Sequence, residues 1–177
     1  LRRLLIEDHF LEGVVSLPAG VFKPYAGVST SIVLFTKTGK GGTNNVWFYD
    51  LQSDGWSLDD QRNPMLSLDK LGSTPLCNLE KGDHEKNNLP DCLKRWKNRK
   101  GTEKGRSKRE QSFCVTKEEL KNNDYDLSIN RYKEIVHEEI KHRSPQEIIE
   151  NIRKLENKLS KEIKDLEELS INSSFNS

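Results

Sequence analysis

Two stretches of this 177-residue sequence carry side chains able to act on something other than the chain itself. The first is 93–109, LKRWKNRKGTEKGRSKR, where nine Lys or Arg stand against a single Glu. A local excess of positive charge of this size is a polyanion patch: neutralising several phosphates releases counterions and makes affinity fall steeply with salt. Lys94, Arg95, Lys97, Arg99 and Lys100 head the run, and Trp96 among them can stack on a base or simply anchor the segment. A solubilising insertion that touches nothing is the competing reading. The second stretch is 17–30, LPAGVFKPYAGVST, which sets two prolines, Lys23 and two large aromatics, Phe22 and Tyr25, between two strongly apolar runs. A mere connector could be far shorter.

Other candidate motifs carry less. Cys77, Cys92 and Cys114 are spaced by 15 and 22 residues, without a CxxC pair or histidines at zinc-like intervals. They read as reduced thiols of a cytoplasmic protein, and no metal site is expected. His137 and His142 are five apart and would point to different faces of a helix. The lysine of GKGG, Gly39–Gly42, lacks the spacing and the following helix of a phosphate loop, so a turn suffices.

The elements that must position these residues are legible in outline. Apolar content is 33% against the usual value of about 45–50%, so the core must be local. Net charge is only +1, so any attraction to a polyanion comes from a patch rather than from the whole chain. No run approaches the roughly 20 apolar residues of a membrane span, and no basic-then-apolar leader is present; a soluble chain that is not secreted is expected. It begins at Leu1, without a methionine, in what reads as the end of a helix, which points to a piece of something larger. Gly13 is expected to break that helix tail from a short strand, 12–17, closed by Pro18. SIVLF, 31–35, and VWFYDL, 46–51, are further strands, and the Gly/Asn loop between them predicts an antiparallel hairpin. Ser57 is a possible helix start. Residues 78–111 read as a mobile loop or insertion. A short extended piece at 113–115 then leads into a capping box, Thr116 with Glu119.

SPQE at Ser144 predicts a helix start with Pro at the first helical position. Behind it Ile148, Ile152, Leu155, Leu159, Ile163, Leu166 and Leu169 recur at steps of 4, 3, 4, 4, 3 and 3, one apolar stripe along a long helix. The doubled step of four is a stutter that favours a straighter seam than a regular coiled coil.

The apolar strand, then LPAGVFKPYAGVSTSIVLFTK, then the glycine loop and VWFYDL together resemble the last strands of the N6-adenine DNA methyltransferases, in particular the modification (M) subunit of type I restriction-modification systems. FCVTKEELKNNDYDLSINRYKE and the SPQEIIENIRKLENKLSKEIKDLEEL helix continue the likeness in the family's order, covering roughly two thirds of the chain; the basic run and the region around Met65 are unmatched. The resemblance implies an α/β fragment: the terminal strands and antiparallel hairpin of a Rossmann-like methyltransferase sheet (1–76), a basic flexible loop or insertion (77–111), and a tail with a long C-terminal helix for subunit association (112–177). It implies an S-adenosylmethionine-dependent enzyme that methylates adenine N6, acting with DNA, a specificity subunit, a second M subunit and the restriction nuclease subunit. Phe22 stands where that family's adenine-stacking aromatic is expected, with Tyr25 second and Lys23 close enough to meet a phosphate. The alternative for both rings is to pack beneath their own loop. Ile148, Ile152, Leu155, Leu159, Ile163 and Leu166 would dock on the specificity subunit. The cofactor glycines and the Asn-Pro-Pro-aromatic motif belong upstream in the family and are missing here. NPML at Asn63 lacks the second proline and lies after the strands instead of before them. No catalytic or cofactor-binding residue is therefore expected in this chain, which alone should be inactive. A non-catalytic nucleic-acid-binding module and a helical interaction protein with a coiled-coil tail are the alternatives.

Overall fold

Val46–Tyr49 places four large apolar side chains in succession, a pattern suited to a strand covered on both faces. The computed structural model, which describes residues 1–134 and 145–174, builds a mixed α/β fold around that strand. In chain order the elements are α1 (Arg2–Glu7), β1 (Phe10–Leu17), β2 (Thr30–Thr36), β3 (Asn45–Asp50), α2 (Lys81–Lys86), α3 (Leu89–Lys97), β4 (Ser112–Thr116), α4 (Lys117–Asn122) and α5 (Pro145–Ser174). The four strands form one sheet in the order β2-β1-β3-β4. The chain divides into two units, Leu1–Val136 and His137–Ser177, so α5 is described by itself.

The hairpin expected between β2 and β3 is not formed. β2 runs antiparallel to β1, and β3 lies parallel to β1 on its other side. The Gly/Asn segment is a crossover that wraps the amino end of β1. Gly41 donates its N–H to the Asp8 carbonyl at 2.9 Å, and Thr43, buried, donates to the His9 carbonyl at 3.0 Å while accepting the Leu11 N–H at 2.8 Å. Gly41 has φ +72° and comes so close to the Glu7 carbonyl that an added Cβ would lie 2.7 Å from that oxygen. The position therefore demands glycine for the crossover, not for a two-stranded turn.

Gly13 does not break the chain either. β1 runs through it, with Leu11 opposite Phe35 and Gly13 opposite Leu34, so Glu12 is the extra residue of a bulge. The bulge resets the alternation. Leu11 and Val14 join one apolar face with Val46, Phe48, Phe113 and Val115, covered by Ile6, Leu120, Ile129 and Tyr132. Val15 and Leu17 join the other, with Trp47, Tyr49 and Leu51.

That second face is covered by α3, and the expectation of a loop over 77–111 is corrected accordingly: α2, α3 and a 3-10 turn at Thr102–Gly105 lie within it. Pro90 sits in the first turn of α3 after the N-cap Asn88, and Leu89, Cys92 and Trp96 pack on the sheet. Few aliphatics are needed because Trp96 supplies much of the area, its ring 5.6 Å from that of Trp47. Two buried asparagines fix the approach. Asn88 Oδ1 accepts the N–H groups of Gln52 and Ser53 at 3.0 Å each, while Asn87 Nδ2 donates to the carbonyls of Lys70 and Gly72 at 3.0 Å each. The possible helix at Ser57 is instead a turn, because Asp59 takes the backbone N–H groups of Gln61 and Arg62, both at 3.1 Å, on its own carboxylate. Thr116 caps α4 by accepting the Glu119 N–H at 3.2 Å.

Candidate nucleic-acid interface

Phe22 lies in the loop that leaves the carboxyl end of β1. Its carbonyl accepts the N–H groups of Tyr25 at 2.9 Å and Ala26 at 3.0 Å, and the Lys23 N–H returns to the Gly20 carbonyl at 3.1 Å. The loop thus closes on its own backbone, with a cis Lys23–Pro24 bond. Phe22 is 49% exposed and Tyr25 94%. Lys23 Nζ meets the Asp60 carboxylate at 3.2 Å, which ties the loop to the segment after β3.

The basic run is organised by its one acid. Glu103 is 3% exposed and accepts from Trp47 Nε1 at 3.2 Å, from Arg95 at 3.1 Å and from the Ser112 hydroxyl, with Arg106 at 3.8 Å. Arg95 also binds Asp91 at 2.6 Å. Asp91 in turn accepts the buried Tyr49 hydroxyl at 3.0 Å; burial, reinforced by the Asp91 charge, pushes the Tyr49 phenol far above its ordinary pKa. Arg99 pairs with Glu12 at 2.7 Å and lies over the Trp96 ring, 3.8 Å from its centroid. Burial disfavours the charged form of Glu12, but the hydrogen bonds from Arg99 and Thr36 outweigh it, and its carboxyl titrates below its ordinary value. Arg106 also pairs with Glu110, Lys108 with Glu119, and Arg109 with Glu134. Five of the nine cations are thus engaged internally, while Lys94, Lys97, Lys100 and Lys104 form no ion pair with a described residue. Trp96 anchors the segment and does not present its ring to a base.

The predicted site residues do not form one surface. α3 crosses the sheet antiparallel to β3: Asn88 meets the backbone just past the end of β3, and Arg99 meets Glu12 near the start of β1. Lys100 and Lys104 flank the amino ends of β1 and β3, opposite the end that carries Phe22, Lys23 and Tyr25. On α5, Ile152, Leu155, Leu159 and Ile163 are exposed, as is Ile149; the side chains of Ile148 and Leu166, like His137, His142 and Ser144, lie outside the described residues. Lys158 and Glu162 form an i,i+4 pair at 3.8 Å. Among the described residues no cluster of His, Cys, Asp or Glu could hold a metal ion, and no helix is long and apolar enough to cross a membrane.

The sequence pattern of the N-6 DNA Methylase family matches residues 1–142. The chain belongs to the N-6 DNA methylase family. It is 46% identical over 50 residues, 28% of its length, to the type I restriction enzyme EcoEI methylase subunit of Escherichia coli, of which that stretch is 10%. A chain in a structure describing complex assembly and conformational transition of the type I R-M system is 26% identical, with 97% of this chain and 32% of that one covered at a TM-score of 0.46. The type I restriction-modification methyltransferase subunit of Streptococcus thermophilus is 23% identical, covering 75% of this chain and 22% of its own at a TM-score of 0.46. The chain therefore spans a third or less of each of these proteins.

Within this N-6 DNA methylase chain, the residues that sequence reasoning missed are Glu103, Asn87 and Asn88. The signal for Glu103 was its solitude among nine bases, and for the asparagines their tandem position ahead of a proline in a helical first turn.

Proposed function

We propose that this chain is the C-terminal part of a type I DNA adenine-N6 methyltransferase subunit. The complete protein would transfer a methyl group from S-adenosylmethionine to adenine in DNA, at a site chosen by a specificity subunit. The observation that carries this reading is the Phe22 loop: it projects from the carboxyl end of a strand flanked by a parallel neighbour, the end of an α/β sheet where ligands bind. Chemistry on a duplex base requires extrusion of the target, and an extruded purine needs a flat apolar face in place of its lost neighbours. The half-open ring of Phe22 supplies one, with Tyr25 beside it in sequence. Lys23 would reach a flanking phosphate by exchanging Asp60 for it.

The open edge of β2 supports the larger assembly. Among the described residues β2 pairs with β1 alone, and Ile32 on one side and Val33 and Phe35 on the other are exposed. An uncovered edge strand of this composition is an aggregation hazard, and further strands and helices of a Rossmann-like sheet would cover it. The residues present do not fit the cofactor. Past the end of β3 the Gln52 and Ser53 N–H groups are already taken by Asn88, and neither the glycine-rich nor the Asn-Pro-Pro-aromatic motif occurs. In this reading the chain alone would be inactive, and its part would be to hold the target base and the DNA.

Of the basic residues read as DNA contacts, Lys94, Lys97 and Lys100 remain available, whereas Arg95 and Arg99 serve the fold. The apolar stripe of α5 would dock on the specificity subunit, within an assembly that also holds a second M subunit and the restriction nuclease subunit. Half-burial of its aliphatic side chains would provide on the order of 5–10 kcal/mol of gross stabilisation, before the cost of association. The test is reconstitution. Joined to an upstream segment bearing the cofactor motifs and supplied with a specificity subunit, the chain should support transfer of labelled methyl groups to adenine N6. Transfer to cytosine, or none with a correctly folded assembly, would refute the reading.

A further inference from the structure

At the end of the sheet opposite Phe22 a cleft of about 230 Å³ opens between the start of β3, β4 and the segment after α3. Its floor is Trp47 and Cys114, and its walls carry Lys100, Lys104, Asn44 and Asn45. We propose that this cleft is a phosphate-binding site, remote from the Phe22 loop, in which Lys100 and Lys104 neutralise the ligand and the amides of Asn44 and Asn45 complete its hydrogen bonds.

The charge arithmetic is local. Glu12 and Arg99 also line the cleft, but they neutralise each other at 2.7 Å. Lys100 and Lys104 have no acid partner among the described residues, so the cleft carries two uncompensated positive charges. One phosphate dianion or two successive phosphodiesters match that. A planar carboxylate is matched best by the fork of an arginine, and the only arginine of the cleft already holds Glu12; ammonium groups act as point charges suited to a tetrahedral oxyanion. The side-chain amides of Asn44 and Asn45 are exposed and make no hydrogen bond with a described residue, leaving donors free for the remaining oxygens.

The cleft is also built rather than incidental. Lys100 follows directly on Arg99, which is fixed between Glu12 and the Trp96 ring. Lys104 follows Glu103, which is buried and held by Trp47, Arg95 and Ser112. Each cation is thus one residue from a clamp on the sheet. The phosphate can come from a nucleic-acid backbone or from a free nucleotide, and neither source depends on Phe22 facing a base.

The 177-residue chain would be titrated with pyrophosphate by calorimetry and with a labelled 16-base-pair duplex by anisotropy. Three double variants complete the set: Lys100→Ser with Lys104→Ser, Asn44→Asp with Asn45→Asp, and the exposed control Lys81→Ser with Lys86→Ser. The cleft lysine variant should weaken binding about tenfold or more and, for the duplex, reduce the log–log salt slope by about 2. The aspartate variant, which alters only exposed positions, should weaken it as well. The control should change neither. Binding of the duplex alone assigns the site to a nucleic-acid backbone, and binding of pyrophosphate alone to a free nucleotide; either supports the site. Failure of both ligands to bind the parent chain, or an equal loss in the control, would overturn it.

Discussion

Trp47 donates its indole N–H to Glu103 at 3.2 Å, and this bond joins the middle of the sheet to the only acid of the basic run 93–109. The same carboxylate holds Arg95 and Ser112. A run with the composition of a disordered tail is tied to the sheet because two of its arginines, Arg95 and Arg106, meet this buried counter-ion and Arg99 meets Glu12. Glu103→Ala should therefore cost about 1–3 kcal/mol for each buried donor left without an acceptor, the Trp47 indole N–H and the Ser112 hydroxyl, and Glu103→Gln less. Arg109→Ala, which breaks an exposed pair with Glu134, should cost under about 1 kcal/mol. Urea denaturation of the three variants checks the ranking.

Gly13 sits under the Trp96 ring. A Cβ there would lie 2.8 Å from the ring and 3.1 Å from the Trp47 carbonyl. Gly13→Ala normally stabilises a strand by restricting the unfolded chain, but here the overlap with the Trp96 ring, itself held between Trp47 and Arg99, dominates, and a loss of about 1–3 kcal/mol is expected. In a Trp96→Leu background the same substitution should cost less. Additive effects in the double-mutant cycle would show that the two residues do not meet.

Glu7 ties α1 to α4 and the turn beyond it. Its carboxylate lies 2.7 Å from Lys117 Nζ and 3.0 Å from Lys121 Nζ, and accepts the Tyr125 hydroxyl at 2.9 Å. Hydrogen bonds from Lys117 first, then Lys121 and Tyr125, bring its carboxyl down to about 2, against about 4.3 for a free glutamate. The folded form binds this proton less tightly than the unfolded form does. The contribution of Glu7 is therefore complete above the free-glutamate value and is lost as pH falls from there through about 2. Thermal midpoints recorded across that window should fall more gently for Glu7→Gln than for the parent chain, and high salt should narrow the difference.

Leu155 and Leu159 are exposed on one face of α5. Leu155→Asp with Leu159→Asp should abolish co-purification with a specificity subunit while leaving the unit before α5 folded. In sedimentation the isolated chain should be monomeric with or without the substitutions. A dimer that these substitutions dissociate would instead make α5 a homomeric coiled coil.

The sequence made the strands legible because each is a local property: VWFYDL, rich in β-branched and aromatic residues, reads as a strand, and Thr116 with Glu119 reads as a helix start. Which strand pairs with which is not local. The Gly/Asn segment looked like a hairpin turn because its glycines were read for conformational freedom, whereas Gly41 is glycine to let the Glu7 carbonyl approach. α3 was hidden by its composition, since Trp96 and two buried asparagines do work usually given to several aliphatics. The Phe22 loop stood out in the sequence, and in the structure Phe22 is half exposed and Tyr25 almost wholly so. The division of the basic run into clamps and available lysines depends on Glu12, Asp91, Glu110, Glu119 and Glu134, three of which lie outside the run by more than one helical turn.

The most direct measurement is steady-state methylation by the proposed complete subunit, this chain joined to a segment bearing the cofactor motifs, with Phe22→Ala and Phe22→Trp. If Phe22 stacks on the extruded adenine, Phe22→Ala loses about 1–3 kcal/mol of transition-state stabilisation, roughly a 5- to 150-fold fall in kcat/KM for DNA. Affinity for S-adenosylmethionine should be unchanged, and Phe22→Trp should retain most of the activity. An unaltered kcat/KM in Phe22→Ala, or an equal loss of cofactor affinity, would contradict the assignment of this loop to the target base.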